Sequence, residues 1–210
     1  MATETSQTLD RGLRLLEILG EEPSGLTVTD LAHRLDVARP VVYRLLATLE
    51  EHGFVQRSDD GRVRLGLGLI SLSARVNPVL VRAATPILRD VADRVGATAQ
   101  LVVADGSQAL TIAVEEPRWT DFHVKARVGS RHPLDRGAAG KAVVHAQRHE
   151  PTLVKTVGEL QPGAHAMAIP VIGLHAIAAS IGVVSMTDLQ HDQVGPILVE
   201  AAKALAAALS

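Results

Sequence analysis

Apolar positions in the first third of the chain fall into helical spacing in successive runs. Leu9, Leu13 and Leu16, with Leu15, Ile18 and Leu19 beside them, predict a helix over Leu9 to Leu19 with one broad buried face. Pro23, Ser24 and Gly25 break it. A short helix over Thr29 to Leu35 follows, with Thr27 or Thr29 as its N-cap, and Asp36 takes the tight turn after it. The next helix runs from Pro40 to His52. Proline suits a first helical position because its missing N–H costs no helical bond there, and Gly53 suits the C-terminal stop. Val42, Leu45, Leu46 and Leu49 share one stripe of this helix. Pro40, Arg44, Ala47 and Glu51 lie opposite, flanked by Tyr43 and Thr48. Phe54 to Arg57 and Arg62 to Gly66 then form the arms of a hairpin around Ser58-Asp59-Asp60-Gly61, where Asp-Gly is a strong turn signal. Leu67 to Val76 returns to a helical pattern and Asn77-Pro78 marks a break.

The remainder has a different texture. Val79 to Val95 reads as a helix with Pro86 as a possible interruption, stopped by Gly96. Three strands follow over Ala99 to Ala104, Ala109 to Val114 and Phe122 to Val128, with Asp105-Gly106 as a hairpin turn. Small residues open a helix from about Ala138. Strands over Ala166 to Ile172 and Ile177 to Met186 precede a closing helix from about Val194 to Leu209. Helices and strands in this order predict an antiparallel sheet with helices packed on it. The expected fold is mixed: an α-rich winged helix-turn-helix over residues 1–66, a linker helix over 67–78, and an α+β domain over 79–210.

A short helix, a turn, a longer helix and an arginine-bearing hairpin make double-stranded DNA the first partner to test. The net charge of −2 runs against that reading, and residues 1–76 carry 9 Arg against 11 Asp and Glu. Position outweighs the sum, because exposed charges are screened beyond roughly 8 Å at physiological salt. Arg39 and Arg44 fall in or beside the second helix of the motif, and Arg57, Arg62 and Arg64 fall on the hairpin, so a local basic face is expected. Thr27, Thr29, Pro40, Tyr43 and Thr48 complete the candidate DNA-contacting set. Absence of cysteine removes disulfides and thiolate metal sites. The first residues lack a signal-peptide pattern and no apolar run is long enough to span a bilayer, so a cytoplasmic location without membrane contact is expected.

Both halves resemble the IclR-type transcriptional regulators. The resemblance is carried by LDRGLRLLEIL, LTVTDLAHRLDV, VVYRLLATLEEHGFV and VRLGLGLISL, then by VGSRHPLDRGAAGKAVV and the strand pair AMAIPV and IAASIGVVSM. It implies an N-terminal winged helix and a C-terminal GAF-like domain that takes a small-molecule effector. It also implies a homodimer or homotetramer formed partly through the helix after the wing. The chain departs from the family at Ala38, Arg39, Pro40 and Val41, where a serine or threonine is usual, and at Asp36, which replaces a turn glycine. It is also shorter between His149 and Ala166, where relatives carry a helical segment and a strand, so a more open pocket or a different effector is expected.

In that family the loop and helix start matching Leu134 to Lys141 line the effector pocket. Ala138, Ala139 and Gly140 leave backbone N–H groups accessible at a helix N-terminus, which favours an anionic ligand such as a carboxylate. Arg127, Arg131, Arg136 and His132 lie close by in sequence and suit charge-assisted bonds to it. The competing reading is a second domain that only oligomerises, its small residues serving close packing. Only four aromatic residues occur in the chain, so a pocket built on aromatic stacking is disfavoured. Trp119 sits in a polar loop, as an interface or lid residue or as a packing anchor. His145 and His149, spaced for one helix face beside Glu150, lack a third ligand, and no metal site or cofactor is assigned. No P-loop, Gly-x-Ser-x-Gly or His-Glu-x-x-His occurs, so no enzymatic activity is expected.

Overall fold

The computed structural model describes residues 5–73, 78–120, 124–174 and 177–209. The chain divides into two compact units, Met1–Val76 and Asn77–Ser210.

The first unit contains α1 (Gln7–Glu21), α2 (Val28–Leu35), α3 (Arg39–Glu51), the hairpin β1 (Val55–Arg57) and β2 (Val63–Leu65), and α4 (Gly68–Ser73). Leu15, Leu31, Val42, Leu46 and Val63 form its fully buried centre, and Leu49 packs against the cluster from its edge. The buried face of α1 differs from the expected one. Gly12, Leu15 and Leu19 are buried, whereas Leu9 and Leu13 are 62% and 52% exposed. Both sets have helical spacing, and the fold turns the Gly12, Leu15 and Leu19 face inward, with Gly12 beside Leu45 of α3. Thr27, not Thr29, caps α2. Asp36 ends that helix in the left-handed region at φ 52°, as the turn requires of a residue without glycine's freedom. The wing closes through Ser58 N–H to the Arg62 carbonyl at 2.8 Å, with Gly61 at φ 75°. An isolated bridge from Leu26 to Val63 fastens β2 to the rest of the unit. The helical pattern of Leu67 to Val76 materialises as α4, and residues 74–77, including the Asn77 break, lie outside the described set.

The second unit is built on a six-stranded antiparallel sheet. Its elements are α5 (Pro78–Val95), β3 (Thr98–Asp105), β4 (Gln108–Glu115), β5 (Arg131–Pro133), α6 (Gly137–Gln147), β6 (Val154–Val157), β7 (His165–Val171), β8 (Ala179–Ser185) and α7 (His191–Ala208). The strand order is β5-β4-β3-β8-β7-β6. Period-two alternation sorts the strands between two cores. Leu101, Val103, Met167, Ile169 and Ile181 join Leu88 and Leu198 on the α5 and α7 side. Val102, Ala109 and Ala168 meet Ala138, Ala139, Ala142 and Val143 of α6 on the other. Alanine and glycine let α6 sit close to the sheet, where Ser180 Oγ donates to the Ala139 carbonyl at 2.9 Å in a buried bond.

Three expectations change here. Pro86 does not interrupt α5, which runs continuously through it. The strand expected over Phe122 to Val128 does not form between Val124 and Val128, and Phe122 lies outside the described residues. The edge of β4 is met by a later segment, because Gly129 turns the chain at φ 88° and brings Ser130 and β5 alongside. Finally, the shortened stretch after His149 retains a strand, β6, paired with β7 from Val154↔Ala168 to Val157↔His165. No described helix is long and apolar enough to cross a membrane.

Candidate nucleic-acid interface and ligand pocket

On α3 the apolar stripe is buried, so the opposite side must face outward. Arg39, Pro40, Tyr43, Arg44, Ala47 and Thr48 are exposed, and Thr29 of α2 is exposed as well. The guanidinium groups of Arg39 and Arg44 make no hydrogen bond or ion pair among the described residues. Thr48 returns its hydroxyl to the Arg44 carbonyl at 3.3 Å, which helps keep that side chain close to the helix.

The other candidates are already engaged within the protein. Thr27 Oγ1 accepts the Asp30 N–H at 3.2 Å and donates to Asp30 Oδ2 at 2.7 Å, while the Thr27 N–H reaches the same carboxylate at 3.1 Å. Its hydroxyl therefore belongs to a capping box and not to an outward contact. These bonds from Thr27 hold the Asp30 carboxyl below its usual range. Arg57 is paired with Glu50 at 2.6 Å and lies over the Tyr43 ring at 5.5 Å, so it braces the wing against α3. Arg62 donates to the Gly25 carbonyl at 2.8 Å. Arg64 bonds Ser58 and lies 3.3 Å from Asp60 within the wing itself. Sequence spacing placed these arginines on the hairpin but could not show that each has an acceptor nearby.

The second unit carries a cavity of about 140 Å³ on the α6 side of the sheet. Gln100 of β3, Thr111 of β4, Thr156 of β6 and Ala166 of β7 form its floor, with Ala138 and Ala139 of α6 beside them. Lys125, Ser130, His132 and the segment Glu159 to Gln161 complete the wall. Of the residues expected there, His132, Ala138 and Ala139 line the cavity, whereas Arg127, Arg131 and Gly140 do not. Arg131 pairs with Asp105 at 2.5 Å. Gly140 serves packing, since a Cβ there would lie 2.8 Å from the Leu134 carbonyl oxygen.

The N-terminus of α6 has no side-chain cap from its own N-cap residue, Arg136. Glu159 supplies one from a distant loop. Its Oε2 accepts the Gly137 N–H at 2.8 Å and its Oε1 accepts Lys141 Nζ at 2.6 Å, while Arg136 donates to its backbone carbonyl. The Lys141 bond first, then the Gly137 N–H, hold the Glu159 carboxyl below the usual carboxylate range. No local signal marked this residue, because its partners lie 18 and 22 positions away.

Two further candidates resolve into structural contacts. The Trp119 ring lies against Gly96 and its Nε1 donates to the Asp93 carbonyl at 2.8 Å, while the residue remains 68% exposed, so it is tethered but not buried. His145 Nδ1 meets Glu150 at 2.6 Å, while His149 lies beyond the end of α6 with a positive φ of 58°.

A winged helix-turn-helix followed by an antiparallel α+β unit is a layout met in DNA-binding transcriptional regulators. Residues 8–59 match the family described as IclR helix-turn-helix domain, and residues 74–153 match the bacterial transcriptional regulator IclR C-terminal family. The chain belongs to the IclR family. It is 30% identical over 158 residues to the transcriptional repressor IclR of Escherichia coli, a match spanning 73% of this chain and 57% of that protein. The HTH-type transcriptional repressor AllR of Escherichia coli is 29% identical over 71% of this chain and 56% of its own length. The chain thus spans little more than half the length of these curated relatives. The fold matches the crystal structure of an IclR transcriptional regulator from Alicyclobacillus acidocaldarius with a TM-score of 0.82 at 24% identity, covering 99% of this chain and 100% of that one. An IclR homologue from Microbacterium hydrocarbonoxydans, solved with 4-hydroxybenzoate, matches with a TM-score of 0.81 at 22% identity over 97% and 99% of the two chains.

Proposed function

We propose that this protein is a transcriptional regulator that binds a roughly palindromic operator in double-stranded DNA and adjusts its affinity to a small-molecule effector. The observation that carries the reading is the outward face of α3, with Arg39 and Arg44 exposed and without a partner among the described residues, on a helix held by a buried stripe and a braced wing. In the proposed complex α3 enters the major groove, with Arg39, Tyr43 and Arg44 nearest the bases and phosphates. The hairpin lies along the backbone, and Arg57, Arg62 and Arg64 contact phosphate only by exchanging their present acceptors for it.

Residues 1–66 would bind DNA, 67–78 would link, and 79–210 would sense the effector and assemble the protein into a homodimer or homotetramer. Leu67, Ile70 and Leu72, all at least half exposed around α4, supply the apolar surface for that assembly. The cavity beside α6 is the proposed effector site. A small carboxylated metabolite is the proposed class, consistent with the helix N-terminus and with the 4-hydroxybenzoate of the Microbacterium relative. An effector that prefers one arrangement of the two DNA-binding units shifts operator affinity by about 5- to 150-fold. No catalytic role is proposed. A second unit that only oligomerises is the less favoured reading, because polar side chains of four strands converge on a cavity that oligomerisation alone does not require.

The test is a mobility shift with the DNA upstream of the gene at two salt concentrations. A discrete shift that survives random competitor is expected, and Arg44→Ala is expected to weaken it by about 1–3 kcal/mol while relaxing the preferred sequence. Unchanged operator affinity in Arg44→Ala would remove α3 from the groove in this reading.

A further inference from the structure

The cavity wall formed by Glu159, Leu160 and Gln161 belongs to a short loop between β6 and β7. Gly158 and Gly163 bound it with positive φ angles of 69° and 76°, and the Gly158 N–H to Ala164 carbonyl bond at 2.8 Å closes its base. The loop is fastened to the start of α6 by the Glu159 carboxylate on Gly137 and Lys141, and by Arg136 on the Glu159 carbonyl. Leu160 lies over Gly137, where any Cβ would meet its Cδ1 at 2.6 Å. Leu160 is nonetheless 51% exposed, and the Glu159 side chain 32% exposed, so the strap has little buried surface of its own to keep it shut.

The electrostatic consequence is specific. The Gly137 N–H that lines this end of the cavity, and with it the Lys141 ammonium, already hold a carboxylate, while Lys125 is the ammonium group in the cavity wall itself. A second carboxylate beside the first would meet like charge and find the Gly137 N–H taken. We propose that Glu159 is a built-in competitor for the cavity's ligand: a small acid binds by replacing the Glu159 carboxylate on Gly137 and Lys141, and this replacement frees the 158–163 strap. The proposal deepens the effector reading of the cavity and rests on it. In the ligand-free protein the strap is latched by its own charge, so only a ligand with a carboxylate or an equivalent anion unlatches it. A neutral analogue of the same shape gains nothing from the exchange.

Truncation of Glu159 to alanine removes a fragment with the shape and charge of acetate, which makes acetate the probe. The full chain, Glu159→Ala and Glu159→Gln are titrated with acetate and with neutral acetamide at constant ionic strength, followed by thermal shift and by hydrogen exchange at residues 136–141. Acetate is expected to half-saturate Glu159→Ala at about tenfold lower concentration than the native chain, because the competitor no longer occupies the seat. Glu159→Gln, which keeps the shape and loses the charge, falls between them, and acetamide shows no such gain. Where Glu159→Ala does not fold, the glutamine variant carries the comparison. Equal acetate half-saturation in native and variant proteins, an equal gain for acetamide, or no acetate response in any of them overturns the proposal. The effector reading fails separately. If acetate gains as expected and yet no small acid alters operator affinity, the seat stands and the regulatory role falls. If operator affinity responds to acids without any gain in the variants, the regulatory role stands and the competitor falls.

Discussion

At the residue scale, several charged side chains that a sequence reader assigns to ligands are spent inside the protein. Arg57 is the clearest, held by Glu50 at 2.6 Å and stacked over Tyr43. Glu50→Gln is expected to release its guanidinium, raising affinity for random DNA and steepening the salt slope by about one phosphate equivalent. A salt titration by fluorescence anisotropy reads this directly, and an unchanged slope would mean that Arg57 never reaches the backbone. Thr27 has a different role. Thr27→Ala is expected to lower the stability of the first unit by about 1 kcal/mol through loss of the cap. The penalty has a pH signature. Asp30 is held below its ordinary value of 3.8 in the folded chain, so the capping box contributes fully above that value and is lost as pH falls through the depressed one. Thermal melts should therefore show native and variant converging in acid and separated near neutral pH.

At the element scale, close backbone approach governs where the wing begins and ends. Gly66 leaves β2 against the turn after α3, and a Cβ there would stand 2.2 Å from the Gly53 carbonyl oxygen and 2.9 Å from Val55 N. Neither neighbour is a flexible side chain that can yield. Gly66→Ala is expected to cost about 1–3 kcal/mol and to displace the wing, lowering both the melting temperature and DNA affinity. A variant with native stability and native affinity would show that the wing tolerates being pushed off α3. The middle helix of the second unit follows the same rule. Ala138, Ala139, Ala142 and Gly140 bring α6 onto the sheet, and that closeness places its N-terminus at the cavity wall.

At the scale of the whole molecule, the proposed assembly is tested at the apolar surface left uncovered around α4. Ile70 of α4 is 62% exposed and Leu67 before it 73% exposed, in a chain whose other large aliphatic residues are mostly buried. Ile70→Glu is expected to shift the protein toward smaller species in light scattering. Operator affinity should fall by about a hundredfold as two tethered DNA-binding units become one. Native assembly in this variant would move the interface elsewhere.

Periodicity alone determined most of the architecture. Val42, Leu45 and Leu46 define the buried stripe of α3, the Asp-Gly pair at residue 60 and its successor defines the wing turn, alternation marks β4, and long, largely apolar runs mark β3, β7 and β8. These features are local, so the chain states them wherever the pattern is long enough. The short strands β5 and β6 escaped notice because three or four residues carry too little alternation, and their partners are supplied by distant strand edges. Which face of α1 is buried was equally undetermined, since Leu9–Leu13 and Leu15–Leu19 both satisfy helical spacing and only packing against the other helices separates them. Residue types around α6 pointed to an anion seat, and His132, Ala138 and Ala139 do line the cavity. Only tertiary structure revealed that Glu159, far along the chain, already fills that seat. Charge pairing is a property of space, and the distances that set it are fixed by the folded backbone.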